Sequence, residues 1–219
     1  MEKRQRIKLL KWVVNIGAII PLGWLVVSYF AGNLTFNPVQ AATLRTGDYA
    51  LVLLWLSLAC TPLHLLAGWT DPLQLRRPLG MYAFLYAAIH LLIFVGWDYG
   101  FDWPQVLPLF VTKSYLLVGT SAFVLLLLLT VTSFRWWLRL LGAGWKHLHR
   151  LVYLAAGLVV VHYVMVVDGD ILTLQGDVLE PLAYGVVLVV LFVLRLPFVR
   201  VRLRRRSGKA DKDTLQPHT

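Results

Sequence analysis

The chain has 219 residues, 58% of them hydrophobic and 15% charged, and its mean hydropathy is +0.68. Soluble domains carry about 25% charged and about 45–50% apolar residues, so composition excludes a soluble globular protein, and the high hydrophobicity excludes a disordered chain. One cysteine, Cys60, excludes a disulfide framework, and the net charge of +10 acquires meaning only once it is located.

Apolar runs of roughly 18 residues or more mark membrane-spanning helices, and the chain has six. A basic N-terminus, residues 1–11, leads into Trp12–Phe30, which contains Pro21. That run resembles a signal peptide in its basic flank, but it is too long for the apolar segment of one and lacks a small-residue cleavage site, so it reads as an uncleaved helix. The second run, Tyr49–Ala67, carries Cys60, Pro62 and His64; the third, Pro78–Trp97, carries His90. The fourth is Tyr115–Phe134. The fifth, Leu148–Val167, carries His149, Arg150 and His162, and the sixth, Pro181–Val199, carries Arg195. The basic tail, residues 200–219, reads as disordered. The expected fold is an all-α integral membrane protein, a six-transmembrane-helix bundle.

The charges orient the bundle. Five lysines and arginines precede the first run, two (Arg76, Arg77) lie in the second loop, four in the fourth, and eight from Arg195 onward. Only Arg45 and Lys113 remain for the opposite side, which holds seven of the eleven acids. The excess of positive charge places both termini in the cytoplasm. The basic surface then reads as a topology signal and a contact for anionic membrane lipid, with no nucleic acid as partner.

No acidic residue falls inside the six runs, which makes the histidines the informative ionisable groups, because such groups are costly in a bilayer. His90 lies 13 residues beyond Arg77 and His162 lies 12 beyond Arg150, each on an outward-running helix. At about 1.5 Å per residue both sit roughly 18–20 Å from the inner boundary. Two imidazoles at one depth on two helices suit axial ligation of one haem iron; the plainer alternative is that each makes a polar contact between helices. No C-x-x-C-H occurs, so such a haem is b-type. His149 is 13 residues deeper than His162 and cannot reach the same iron. A partner for it on the third helix should fall near Arg76, which cannot ligate; the alternative for His149 is an interfacial hydrogen bond.

The remaining candidates are weaker. His64 reads as a water-facing side chain near a proline kink, His147 and His218 as solvated, and Cys60 as a small buried residue. Arg150 and Arg195 sit near helix ends, where their side chains can snorkel to water. There is no G-x-G-x-x-G and no P-loop. No strong internal repeat is visible; the third and fifth runs share a faint echo of a tyrosine, an Ala-Ala pair, a histidine and an aspartate.

The run Trp145-Lys-His-Leu-His149-Arg-Leu-Val-Tyr153 followed by His162-Tyr163 resembles the fifth helix of the ferric reductase-like transmembrane domain. Leu79-Gly-Met-Tyr82 leading to His90 is similar to its third helix, and Thr61-Pro62-Leu63 to the end of its second. The compact size resembles a branch that serves bacterial methionine sulfoxide reductase systems. That resemblance implies a haem-binding electron-transfer subunit of the inner (plasma) membrane, with no catalytic residue of its own. It implies electrons drawn from the quinone pool or a cytosolic flavin reductase and passed to a periplasmic molybdopterin enzyme that repairs methionine sulfoxide in oxidised proteins. It also implies haem b, one or two per chain, and FMN. His90 and His162 match the family's haem ligands and His149 a third family histidine. Two-haem relatives carry a second histidine where this chain has Arg76. His149, Arg76, Arg77 and Arg150 form the candidate inner cofactor site, where electrons enter and a flavin phosphate could meet arginine. Two other readings compete: a self-contained haem-dependent ferric or quinone reductase, and a non-redox transporter or assembly factor.

Overall fold

The computed structural model describes residues 2–167, 169–170, 175–196 and 199; Asp168 and the expected tail, 200–219, lie outside them. The chain is an all-α membrane bundle. Five helices are long and apolar enough to span a bilayer, and a shorter apolar helix, Leu179–Val193, is the sixth.

The spans begin and end where local chemistry dictates, which is not always where hydropathy changes. Helix α1 runs over Lys3–Phe30 with Pro21 inside it. Helix α2, Pro38–Ala67, starts eleven residues before the apolar run. Asn37 caps it by accepting from the Gln40 N–H at 3.2 Å, and Pro38 takes the first helical position, both favoured N-terminal signals. Hydropathy misses this first part because residues 38–48 include Gln40, Thr43, Arg45, Thr46 and Asp48. Gly68 ends α2 with φ +68°, its N–H donating to the His64 carbonyl at 3.0 Å, the usual left-handed termination.

Helix α3, Arg76–Ile93, takes Arg76 and Arg77 into its first turn and continues as a π-helical turn, Phe94–Asp98. Helix α4, Trp103–Thr112, stands where the sequence suggests only a loop. Asp102 accepts from the Gln105 N–H at 3.3 Å and from its side chain at 2.8 Å, fixing the start of α4. Helix α5 is Ser114–Val131, followed by the short α6, Arg135–Leu141, and α7, Gly144–Leu148. The fifth run therefore breaks at His149-Arg150, and α8 covers Leu151–Val166. A two-residue β-ladder, β1 Gly169–Asp170 with β2 Gln175–Gly176, leads to α9, Leu179–Val193.

The core joins α2, α3, α5, α8 and α9. Leu51, Leu54, Trp55 and Leu58 of α2 pack with Ala83, Leu126, Ala155, Ala156, Leu188 and Leu191. Ala83, Ala155 and Ala156 are fully buried. Small residues at such crossings let helix backbones approach closely where lipid provides no hydrophobic drive. Polar ties add to this: the Tyr86 hydroxyl donates to the Ala18 carbonyl at 2.6 Å, and the Trp55 indole to the Tyr184 carbonyl at 3.2 Å. At the N-terminal end Arg6 pairs with the buried Asp71 at 2.5 Å.

Candidate functional site

His90 and His162 come together. Their ring centroids are 6.3 Å apart and their planes cross at 87°. Each ring is held in the same way. His90 Nδ1 lies 2.8 Å from the Thr43 carbonyl on α2, and His162 Nδ1 lies 2.8 Å from the Tyr115 carbonyl on α5. A carbonyl only accepts, so each Nδ1 carries the proton and each Nε2 keeps a free lone pair. An N–H bond from the second ring nitrogen to a carbonyl is how ligating histidines are oriented and made more basic.

The rings face a cavity of about 350 Å³ between α2, α3, α5 and α8, largely apolar. Two carboxylates that the apolar runs place outside the membrane core, Asp48 and Asp98, also line it. Phe110 of the unexpected α4 lines it too.

The donor set would suit a haem iron: two imidazoles line one largely apolar cavity with ring centroids 6.3 Å apart, each with its Nδ1–H given to a carbonyl and its Nε2 lone pair left to ligate. No cluster of three or more His, Cys, Asp or Glu suited to a metal ion occurs among the described residues.

His149 is in a different situation. Its Nε2 lies 3.2 Å from Thr132 Oγ1, and its ring stacks on Trp145 with centroids 4.0 Å apart. The Thr132 hydroxyl spends its own proton on the Leu128 carbonyl at 2.7 Å, so it accepts from His149, and that Nε2 is a donor rather than a free ligand. Arg76, Arg77 and Arg150 are exposed at the same end of the bundle.

Of the remaining candidates Arg195 departs from the sequence expectation, while His64 and Cys60 do not. Arg195 does not snorkel: it turns inward, donating to the Tyr153 hydroxyl at 2.6 Å and to the Leu58 carbonyl, with its guanidinium 5.1 Å from the Tyr153 ring centre. His64 Nδ1 pairs with the Trp69 carbonyl at 2.9 Å in the adjoining turn. Cys60 is buried, its Sγ 3.2 Å from the Leu56 carbonyl.

The apparent echo between the third and fifth runs is out of register. The structure instead relates α2–α3 to α5–α8 by a shift of 72 residues. Thr43 pairs with Tyr115, Gly47 with Gly119, Ala83 with Ala155 and His90 with His162. The same shift sets Arg77, one residue from the expected Arg76, against His149. Sequence reasoning missed Gly47 and Gly119; the usable signal is a glycine 43 residues before each histidine.

A family described as ferric reductase like transmembrane component matches residues 46–160. Three curated relatives share the name protein-methionine-sulfoxide reductase heme-binding subunit MsrQ. That of Rhodospirillum rubrum is 42% identical, covering 94% of this chain and 96% of the relative. Those of Herminiimonas arsenicoxydans and Caulobacter vibrioides are each 36% identical, covering 87% and 84% of this chain and 86% and 85% of their own lengths.

Proposed function

The chain belongs to the ferric reductase like transmembrane family, and we propose that it is the haem-binding, electron-carrying subunit of a methionine sulfoxide reductase system. One observation carries the reading. Two imidazoles with free Nε2 atoms stand 6.3 Å apart, centroid to centroid, at an apolar cavity inside a membrane bundle.

In this reading His90 and His162 hold the iron of a b-type haem. When bound, that haem supplies one-electron chemistry, at a potential tuned by its ligands, their hydrogen bonds and burial. The chain's own residues do the rest. The Thr43 and Tyr115 carbonyls fix each imidazole in the Nδ1–H form and raise its donor strength. The walls are largely apolar, and Asp48 and Asp98 set the charge on part of the cavity surface.

The proposed orientation has both termini in the cytoplasm of a bacterial inner membrane, from the distribution of lysine and arginine. Electrons enter at the arginine-bearing end, from the quinone pool or a cytosolic flavin reductase, and leave at the other face to a periplasmic molybdopterin reductase, MsrP. FMN is proposed from family likeness, with His149, Arg76, Arg77 and Arg150 as the residues able to meet it.

The test is a reduced-minus-oxidised visible spectrum of purified protein with haem counted per chain. Sharp b-type bands in the parent and their loss in His90→Ala and His162→Ala are expected, with retention in His149→Ala. Normal bands in either of the first two variants would overturn the ligand assignment.

A further inference from the structure

We infer that Gly47 and Gly119 are positioning residues: each leaves a bare stretch of helix against which one of the two site imidazoles is seated, and together they set the crossing angle of the rings. The inference rests on His90 and His162 being the haem ligands.

A β-carbon built on Gly119 would lie 2.7 Å from His162 Nδ1 and 2.8 Å from its Cε1. One built on Gly47 would lie 3.2 Å from His90 Nδ1 and 3.4 Å from its Cε1. Neither glycine adopts a backbone conformation that demands glycine. Both sit inside helices, where glycine is a poor choice. Their smallness is therefore used for close approach and not for a turn.

The two seats repeat one construction. In each, a carbonyl accepts from Nδ1, the glycine one helical turn later faces the same ring edge, and the histidine follows 43 residues after that glycine. The carbonyl fixes one edge of the ring; the glycine allows the ring to lie against the helix at that edge. A methyl group at 119 would sit closer to His162 than van der Waals contact allows. Helix backbone cannot give way, so the ring must turn or withdraw. At 47 the conflict amounts to only a few tenths of an ångström.

Ring orientation has its own readout. Imidazole planes crossed near 87° leave the two iron orbitals that interact with them almost degenerate, which gives a low-spin ferric signal with a large maximum g value. Turning either ring toward parallel lifts the degeneracy and lowers that value. A purely structural role for the glycines would change yield or stability without moving it.

The experiment compares full-length Gly119→Ala, Gly47→Ala and Gly157→Ala, purified in detergent, by haem per chain and by low-temperature electron paramagnetic resonance. Gly157 is on the helix that carries His162 and has nothing within 4 Å of its would-be β-carbon, so it controls for helix propensity alone. Gly119→Ala should lose at least half of its haem or show a lowered maximum g value. Gly47→Ala should keep its haem with a smaller shift in the same direction, and Gly157→Ala should match the parent. Equal spectra for Gly119→Ala and Gly157→Ala, or a larger effect at 47 than at 119, overturn the inference. If Gly119→Ala yields no folded protein, the milder Gly47→Ala decides by the presence or absence of its shift. His162→Ala, run in parallel, separates the two claims. A normal spectrum there refutes the ligand assignment. Its loss beside unaltered glycine variants refutes only the seating role.

Discussion

Replacing Arg195 by methionine should destabilise the bundle more while residue 62 is proline than when it is alanine. Pro62 lies inside α2 and has no N–H, so the Leu58 carbonyl four residues earlier loses its helical donor. Inside a membrane bundle a neighbouring group must satisfy such a carbonyl, and Arg195 does so while also donating to Tyr153. In Arg195→Met the orphaned carbonyl costs about 1–3 kcal/mol and the lost cation–π contact about 0.5–1 kcal/mol. Relief from holding a charge in a low-dielectric interior offsets part of this. Hydrogen bonds within membranes average only about 0.6 kcal/mol and reach about 1.7, so the net loss should be about 1–2 kcal/mol. In Pro62→Ala the backbone N–H returns and bonds Leu58 itself. The same arginine substitution should then cost about 1 kcal/mol less, beyond the ~0.3–0.5 kcal/mol within which independent sites add. The assay is a four-variant cycle, unfolding each protein with dodecyl sulfate in mixed micelles and following tryptophan fluorescence. An equal cost in the parent and in the Pro62→Ala background would refute the reasoning.

Three further outcomes follow from packing and pairing. Ala155→Leu adds bulk at a fully buried helix crossing and should cost about 1–3 kcal/mol by overpacking; the same unfolding assay measures it, and a cost below that of Leu154→Ala at the exposed neighbouring position would contradict the crossing. Arg6→Ala should be more damaging than Asp71→Asn, by about 1 kcal/mol, because the first leaves a nearly buried carboxylate unpaired and the second removes the charge; melting temperatures in detergent rank them, and the reverse order would count against the pair. Thr132→Val removes the acceptor for His149 and should leave the b-type spectrum intact while slowing reduction by added donor; unchanged donor kinetics would show that His149 need not be held there.

The spans were legible because a bilayer demands long apolar runs, and the histidine pair because both sit at one depth between arginine-marked ends. What was not legible has a separate physical cause at each place. Residues 38–48 are too polar to register as a span, yet their helix delivers the Thr43 carbonyl and Gly47 to His90. Helix α4 is short and apolar in a loop context, and only Asp102-Trp-Pro-Gln105 announces it. Glycines are common in membrane helices, so the shared 43-residue spacing from Gly47 to His90 and from Gly119 to His162 carried no meaning until a ring was seen lying against each. Arg195 at a helix end reads as a snorkelling side chain; that it turns inward follows from the donor missing at Pro62, a need the sequence states without naming who meets it.

The 72-residue relation between the two hairpins also bears on the number of haems. Thirteen residues separate Arg77 from His90 and His149 from His162; thirteen likewise separate Gly47 from Cys60 and Gly119 from Thr132. The arginine-bearing end is thus a second tier of the same framework, about 20 Å away along the helices. In that tier Arg77 stands for one histidine, and Cys60 and Thr132 stand for the two glycines. Thr132 touches His149 as Gly119 touches His162, but through a hydroxyl that takes up the imidazole's Nε2. In this tier an arginine stands opposite His149, neither seat is a bare glycine, and His149 gives its Nε2 to Thr132. On the proposed single-haem reading, Arg77→His or Arg76→His alone should leave the count at about one haem per chain, because restoring a ligand restores neither Nε2 nor the seats. A count near two in either variant, by pyridine haemochrome on purified protein, would show that the missing histidine was the whole difference between the tiers.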